Sequence, residues 1–197
     1  MLALATSPPA PSPVTLAEAR EWLGLSTPAD DALVARLLGA ATAVAEGFLR
    51  CALIDRPVVE RLPAAGGWRV LGQEPVSAIT GMVALDATPS GIGRALSPTD
   101  WAMDIDAGGR GHVRVLDAGR ARVVEVAYRA GLASGPDGVP EAVRHGILTL
   151  AADRHRARDA GVEAPALSPA VRALWHPFRR LSVGGPRDLE RARERVW

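Results

Sequence analysis

Four histidines, His112, His145, His155 and His176, are the side chains of this 197-residue chain best suited to hold a metal or move a proton near neutral pH. Their spacing supports neither task. His145 and His155 fall on one helical pattern, about 80° off a common face. No carboxylate completes a HExxH or facial-triad spacing around them. Asp153 and His155 stand two apart on the same pattern, so their side chains diverge rather than pair. The glycines at Gly91 and Gly93 and at Gly108, Gly109 and Gly111 are not followed by Lys-Ser/Thr, as a phosphate loop requires. No serine occupies a Gly-x-Ser-x-Gly elbow. The single cysteine, Cys51, excludes an internal disulfide and a multi-cysteine metal site. It ends an apolar helical pattern, where a buried, inert thiol is expected. The sequence therefore predicts no catalytic residues, no metal and no cofactor: the protein is not expected to be an enzyme.

The chemistry that remains is that of recognition. Trp175 stands beside Pro177, Phe178, Arg179 and Arg180, and Trp197 is the last residue. Aromatic and arginine side chains together are the composition of an interface anchor. Two readings stay open for Trp175 and Phe178: they anchor a partner, or they cover the protein's own core. Between them and the end, Arg187, Arg191 and Arg195 repeat at four-residue spacing, as do Glu190 and Glu194. That pattern suits a charged helix formed on contact with a partner, or else a solvated tail. Asp188, Glu190 and Glu194 dilute its field, which weakens a DNA-binding reading. Trp22 and Trp101 fall within regular patterns and are expected in the core, and Trp68 in a strand that could be an edge.

Charge is nearly balanced, with 23 basic and 22 acidic residues, so general polyanion binding has no support. All the basic residues are arginine, whose planar fork suits interfaces. At 48% hydrophobic the chain can build one well-buried core. No run approaches the roughly 18 apolar residues of a membrane span. The first thirteen residues lack the basic start and long apolar core of a signal peptide. Pro8, Pro9, Pro11 and Pro13 predict an extended or disordered arm. A soluble intracellular product, with no membrane partner, is expected.

The elements that would position these residues are helices around a β insert. Thr15-x-x-Glu18 is a capping box opening a helix over 15–24, with Gly24 as its stop. Thr27-Pro28 opens a second helix over 28–50, with Asp30 and Asp31 in its first turn and an apolar stripe of Leu33, Leu37, Ala40, Ala41, Val44 and Phe48. From 57 to 131 short alternating runs (58–62, 68–71, 76–85, 99–105, 112–116 and 122–128) are separated by turns at Gly66-Gly67, Pro89-Ser90-Gly91 and Gly108-Gly109. They predict one small antiparallel sheet. Pro140 opens a helix over 139–159 with Val143, Ile147, Leu150 and Ala151 on one face. Ser168-Pro169 caps a short helix over 168–176. The fold class is α+β: a helical bundle core with an inserted antiparallel β module and an extended C-terminal arm. The organisation read is an arm over 1–13, a domain over 14–181 and a C-terminal arm over 182–197.

Five features in order resemble the head–tail connector (adaptor) family of tailed bacteriophages and gene transfer agents. They are Thr15-Leu16 with its Leu23-Gly24 break, Asp30-Asp31-x-Leu33, and Glu74-Pro75-Val76-x-x-Ile79. The fourth is the block from Tyr128-x-x-Gly131 through Val139-Pro140 to Arg156-x-Arg158. The fifth is Val171-x-x-Leu174-x-x-Pro177-Phe178-Arg179. The resemblance covers most of 14–181. It departs from the pattern at His155, where the family more often has an aromatic, and in the length of chain beyond Leu181. It implies a non-enzymatic structural protein that self-assembles into a ring of about twelve copies. The implied partners are the portal protein and the next tail component, a stopper or tail terminator, with DNA passing through the channel without specific binding. It also implies portal attachment through the C-terminal end, assigning Trp175, Phe178, Arg179, Arg180, Arg187, Arg191, Arg195 and Trp197 as portal-binding. The location implied is the assembled particle, and the bacterial cytoplasm before assembly. A nucleic-acid-binding accessory protein is the alternative.

Overall fold

The computed structural model describes residues 4–6, 11–85, 93–163 and 167–180. Pro89, Ser90 and Gly91 therefore lie outside the described residues, as do Arg187, Arg191, Arg195 and Trp197. The fold is α+β, and the chain divides into two compact units with separate cores.

The helical unit is drawn from Pro9–Ile54 and Leu132–Leu181. Helix α1 spans Leu16–Leu23 and begins with the full capping box: the Thr15 hydroxyl accepts from the Glu18 N–H, and the Glu18 carboxylate accepts from the Thr15 N–H. Gly24, at φ +69°, ends it in the left-handed conformation that glycine takes without strain. A 3₁₀ turn at Pro28–Asp30 leads into α2, Asp31–Leu49. Helix α3 spans Glu141–Asp159 directly after Pro140. Helix α4, Pro169–Trp175, is capped by the Ser168 hydroxyl, which accepts from the Val171 N–H. A 3₁₀ turn, His176–Phe178, follows it.

Two expectations about α2 change. Its deepest positions are Val34, Leu38, Ala41, Thr42, Ala45 and Leu49, a stripe turned by about one residue from the predicted one. Leu33, Leu37, Val44 and Phe48 flank that stripe half-buried, and Ala40 faces out. Alanine on both faces blurs the periodicity that sequence reading relies on. The same alanines make Pro28–Leu49 long and apolar enough, by length and composition alone, to cross a membrane. The expectation that no run reaches that threshold is corrected here. The buried stripe of α2 is part of the helical core alongside Val143, Ile147 and Leu150 of α3, which accounts for its apolarity without a membrane.

The β unit holds Asp55–Gly131 and the N-terminal strand. Its strands are β1 (Leu4–Thr6), β2 (Arg56–Pro63), β3 (Arg69–Val70), β4 (Val76–Leu85), β5 (Gly93–Ala95), β6 (Trp101–Ile105), β7 (Gly111–Val115) and β8 (Val123–Ala130). They form two antiparallel sheets rather than the single predicted one, ordered β1-β2-β8-β4-β5 and β3-β7-β6. β8 is central because its alternate residues Val124, Val126, Tyr128 and Ala130 are buried in one core with Val58, Leu62, Met82 and Val113. β4 pairs with β8 through two register shifts, which bend the strand. Within the predicted N-terminal arm, residues 4–6 form a strand on the outer edge of β2.

The chain leaves the helical unit after Ile54 and rejoins it at Leu132. Those two points lie side by side: Leu132 N–H donates to the Ala52 carbonyl at 2.9 Å, and Ala133 N–H to Leu53 at 3.1 Å.

Candidate interaction site

Trp175 settles one of the two open readings. It is 0% exposed, and its indole Nε1 donates to the Val143 carbonyl at 3.2 Å. A side chain so placed offers no surface to a partner, so it cannot itself touch a portal in this fold. The correction has a plain physical cause: α4 is short, and a large aromatic at its end is what fixes it to α3. Gly146 makes room for the ring, since a β-carbon there would collide with the indole.

The other residues of the cluster lie around that buried anchor. Phe48 of α2 sits 6.0 Å from Trp175 between ring centroids, tilted by 47°. The Arg179 guanidinium lies 5.6 Å from the Phe48 centroid, within cation–π range. Arg180 N–H donates to the Leu49 carbonyl at 3.0 Å and so satisfies one orphan acceptor at the end of α2. Phe178 is half-buried against the same core, while Arg179 is exposed. The chain thus leaves α4 along a fixed path up to Arg180, with Trp175, Phe178 and Arg179 brought together.

The remaining tryptophans divide differently from expectation. Trp22 is 45% exposed on α1, and its ring stands edge-on to His145 at 5.1 Å. The prediction that it packs in the core fails because the buried side of α1 is carried by Ala19, with Leu16 and Leu23 partly buried. Trp101 is partly buried against the β core, and Trp68 is half-buried. On edge strand β6, Met103 is 56% exposed and Ile105 projects with it, an apolar margin of the kind found at interfaces.

The histidines are dispersed. His112 is buried on β7 with Nε2 3.4 Å from Asp106 Oδ2, while its Nδ1 has no hydrogen-bond partner among the described residues. Burial pushes the Asp106 carboxyl up, but bonds from the Arg110 N–H, His112 and the Gly108 N–H outweigh it and hold the group below its usual range. His155 is buried on α3, with Nδ1 3.2 Å from Asp159. Among the described residues no group of three or more His, Cys, Asp or Glu could hold a metal ion. Cys51 is buried.

One polar network went unread in the sequence. Glu60 lies on the core face of β2, and its Oε2 accepts from the Tyr128 hydroxyl at 2.9 Å and from the Gly72 N–H at 2.8 Å. The Tyr128 oxygen in turn accepts from the Gln73 N–H at 3.1 Å. Burial, then the Glu60 charge, pushes the Tyr128 phenol well above its ordinary range. The available signal was parity: Glu60 alternates in step with Val58 and Leu62, which puts a carboxylate at a core position. The network ties the Gly72–Gln73 loop to the sheet.

Two cores, a buried aromatic anchor and an exposed apolar margin on β6 make up this α+β protein. Comparison with solved structures agrees. The chain is similar, at 26% identity and a TM-score of 0.72, to a chain from the neck of an empty gene transfer agent particle computed with C6 symmetry, covering 95% of this chain and all of that one. It is also similar to a chain in the virion of a native gene transfer agent particle, at 25% identity and TM-score 0.68, over 93% and 99% of the two chains. A chain from the native neck computed with C12 symmetry shares the fold at 24% identity and TM-score 0.66, over 95% and 100%. No protein family model and no curated protein matches the chain. The structural neighbours are thus components of assembled particles.

Proposed function

We propose that this protein is a head–tail connector, an adaptor that forms a ring of about twelve copies between the portal and the next tail component of a gene transfer agent or phage-like particle. The observation that carries the proposal is the end-to-end similarity to a neck chain, 95% of this chain against 100% of that one. Its work is binding and geometry. DNA passes through the ring without specific recognition, and the protein resides in the cytoplasm of the producing cell until assembly.

The portal-facing part in this reading is the C-terminal arm. Phe178, Arg179 and Arg180 form its root, held by the buried Trp175. Arg187, Arg191, Arg195 and Trp197 supply the contacts beyond it. The β unit serves neighbouring copies or the stopper or tail terminator, for which the Met103–Ile105 margin is suited.

Deletion of the gene from a producing strain, followed by electron microscopy, tests the proposal. Filled heads and free tails that fail to join, restored by supplying the protein in trans, are expected. Normal joined particles would overturn it. DNA affinity of the free protein that falls steeply with salt would favour the nucleic-acid-binding accessory reading instead.

A further inference from the structure

We infer that β1 is an exchange strand: in the assembled ring, residues 4–6 of one copy pair with β2 of the adjacent copy. The inference rests on the ring reading above and adds the contact that links one copy to the next.

β1 is three residues long and lies at the outer edge of the five-stranded sheet. It pairs with β2 alone, in the register Leu4↔Arg61, Ala5↔Glu60, Thr6↔Val59. Strand pairing of this sort is carried by main-chain hydrogen bonds, which are the same whether the strand comes from the same chain or another. The other end of the arm is fixed. Val14 is buried in the helical core, its N–H donates to the Ser12 hydroxyl at 3.2 Å, and the Pro13 carbonyl accepts from Arg144 Nε at 3.1 Å.

Between strand and root the sequence reads Ser7-Pro8-Pro9-Ala10-Pro11-Ser12-Pro13. Four of those seven positions are proline, the composition of a linker rather than of a helix or a central strand. An edge strand on a proline spacer with an anchored root has the parts that exchange between identical copies requires. In a closed ring the adjacent β2 edge is present at the high effective concentration that tethering gives. The exchange is also heterologous, an arm on one side and a sheet edge on the other, which is the kind of contact a ring needs.

Cysteines at the directly opposed positions Thr6 and Val59 test it. Opposed residues of an antiparallel pair have Cα atoms about 4.5–5.5 Å apart, within disulfide reach. Particles are purified from cells that co-express one chain carrying Thr6→Cys and another, of different tag length, carrying Val59→Cys. After mild oxidation and non-reducing electrophoresis, a disulfide-linked pair of the two chains is expected. The double variant, Thr6→Cys with Val59→Cys, is expected to give a ladder of linked copies. A double variant whose disulfide, verified by mass spectrometry, stays within one chain overturns the exchange while leaving the ring intact. So does failure to form the disulfide in either arrangement. Absence of the protein from purified particles overturns the ring reading and the exchange with it.

Discussion

The indole of Trp175 lies over Gly146 of α3, with no space between them for a β-carbon. Glycine inside a helix costs about 1 kcal/mol against alanine, so some gain must offset it here. The gain is the docking of α4, whose anchor ring is also held by its bond to Val143. Gly146→Ala is therefore expected to lower stability by about 1–3 kcal/mol despite its better helix propensity, because the indole must shift off its acceptor. Urea unfolding followed by tryptophan fluorescence measures it. An unchanged or raised midpoint would show that α4 yields freely.

The Tyr128–Glu60 pair makes the β unit sensitive to alkali. The phenol is held above its ordinary value of 10.0 in the fold, first by burial and then by the Glu60 charge. A raised folded value contributes stability that is present below pH 10 and is lost as pH rises past it, since the unfolded phenol ionises first. Tyr128→Phe should remove that alkaline loss. At neutral pH it should cost about 1–3 kcal/mol, because the half-buried Gln73 N–H loses its acceptor and the buried Glu60 loses a donor. Thermal melts from pH 7 to 11 compare the two proteins. An equal alkaline slope in both would exclude Tyr128 as the source.

Acid acts on the other unit, through Glu18. The Thr15 N–H and then the Thr15 hydroxyl hold this carboxyl below its ordinary 4.5, with Arg144 adding to them against partial burial. A lowered folded value contributes stability above the unfolded value that is lost as pH falls through it. Melting temperature should therefore drop below about pH 4.5. Glu18→Gln should start lower at pH 7 and decline less on acidification. A parallel decline in the two proteins would place the acid-sensitive group elsewhere.

Much of this fold could be read from local chemistry. The Thr15–Glu18 box, the Gly24 stop, Pro140 before α3 and Ser168-Pro169 at α4 each act within one turn, so their residues sit next to one another in sequence. Positions whose burial depends on distant partners were misread. Alanine on every side of α2 hid which face would meet α3, and the stripe came out one residue off. The order of strands, and their division between two sheets, depends on long-range pairing that alternation alone does not encode. Glu60 was passed over because its partners, Gly72 and Tyr128, are remote in sequence. The candidate interface was legible as composition only: Trp175 looked like an anchor, and it is one, but for α4 rather than for a partner.

The β unit should be separable from the helical one. Among the described residues, the helical core draws its members from Val14–Ile54 and from Ala133 onward. The break points are held together by Ala52–Leu132 and Leu53–Ala133 main-chain bonds, so a short Gly-Ser linker can replace Asp55–Gly131. The shortened chain should keep its helical circular dichroism and a cooperative melt, yet fail to complete particles. A chain without helical signal would show that the insert supports the bundle after all.

Truncation after Val183 tests the portal contact most directly. Among the described residues, the contacts that secure α4 lie before the cut: the Trp175–Val143 bond, the Phe48 contact and the Arg180–Leu49 bond. The truncated protein should therefore fold with an unchanged melting temperature. What it loses is Arg187, Arg191, Arg195 and Trp197, which follow Gly184-Gly185-Pro186 in the sequence. Burying a terminal tryptophan in a partner groove contributes on the order of 2–3 kcal/mol per copy. Around a ring such contacts act together, so their loss is magnified well beyond one copy's share. Purified filled heads mixed with the truncated protein should recover none of it on sedimentation, whereas the full chain co-sediments. Restoring the arm with Trp197→Ala alone should give partial recovery, which separates the aromatic contribution from that of the arginines. Full co-sedimentation of the truncated protein would mean that the surface ending at Arg180 docks by itself and the arm has no part in attachment.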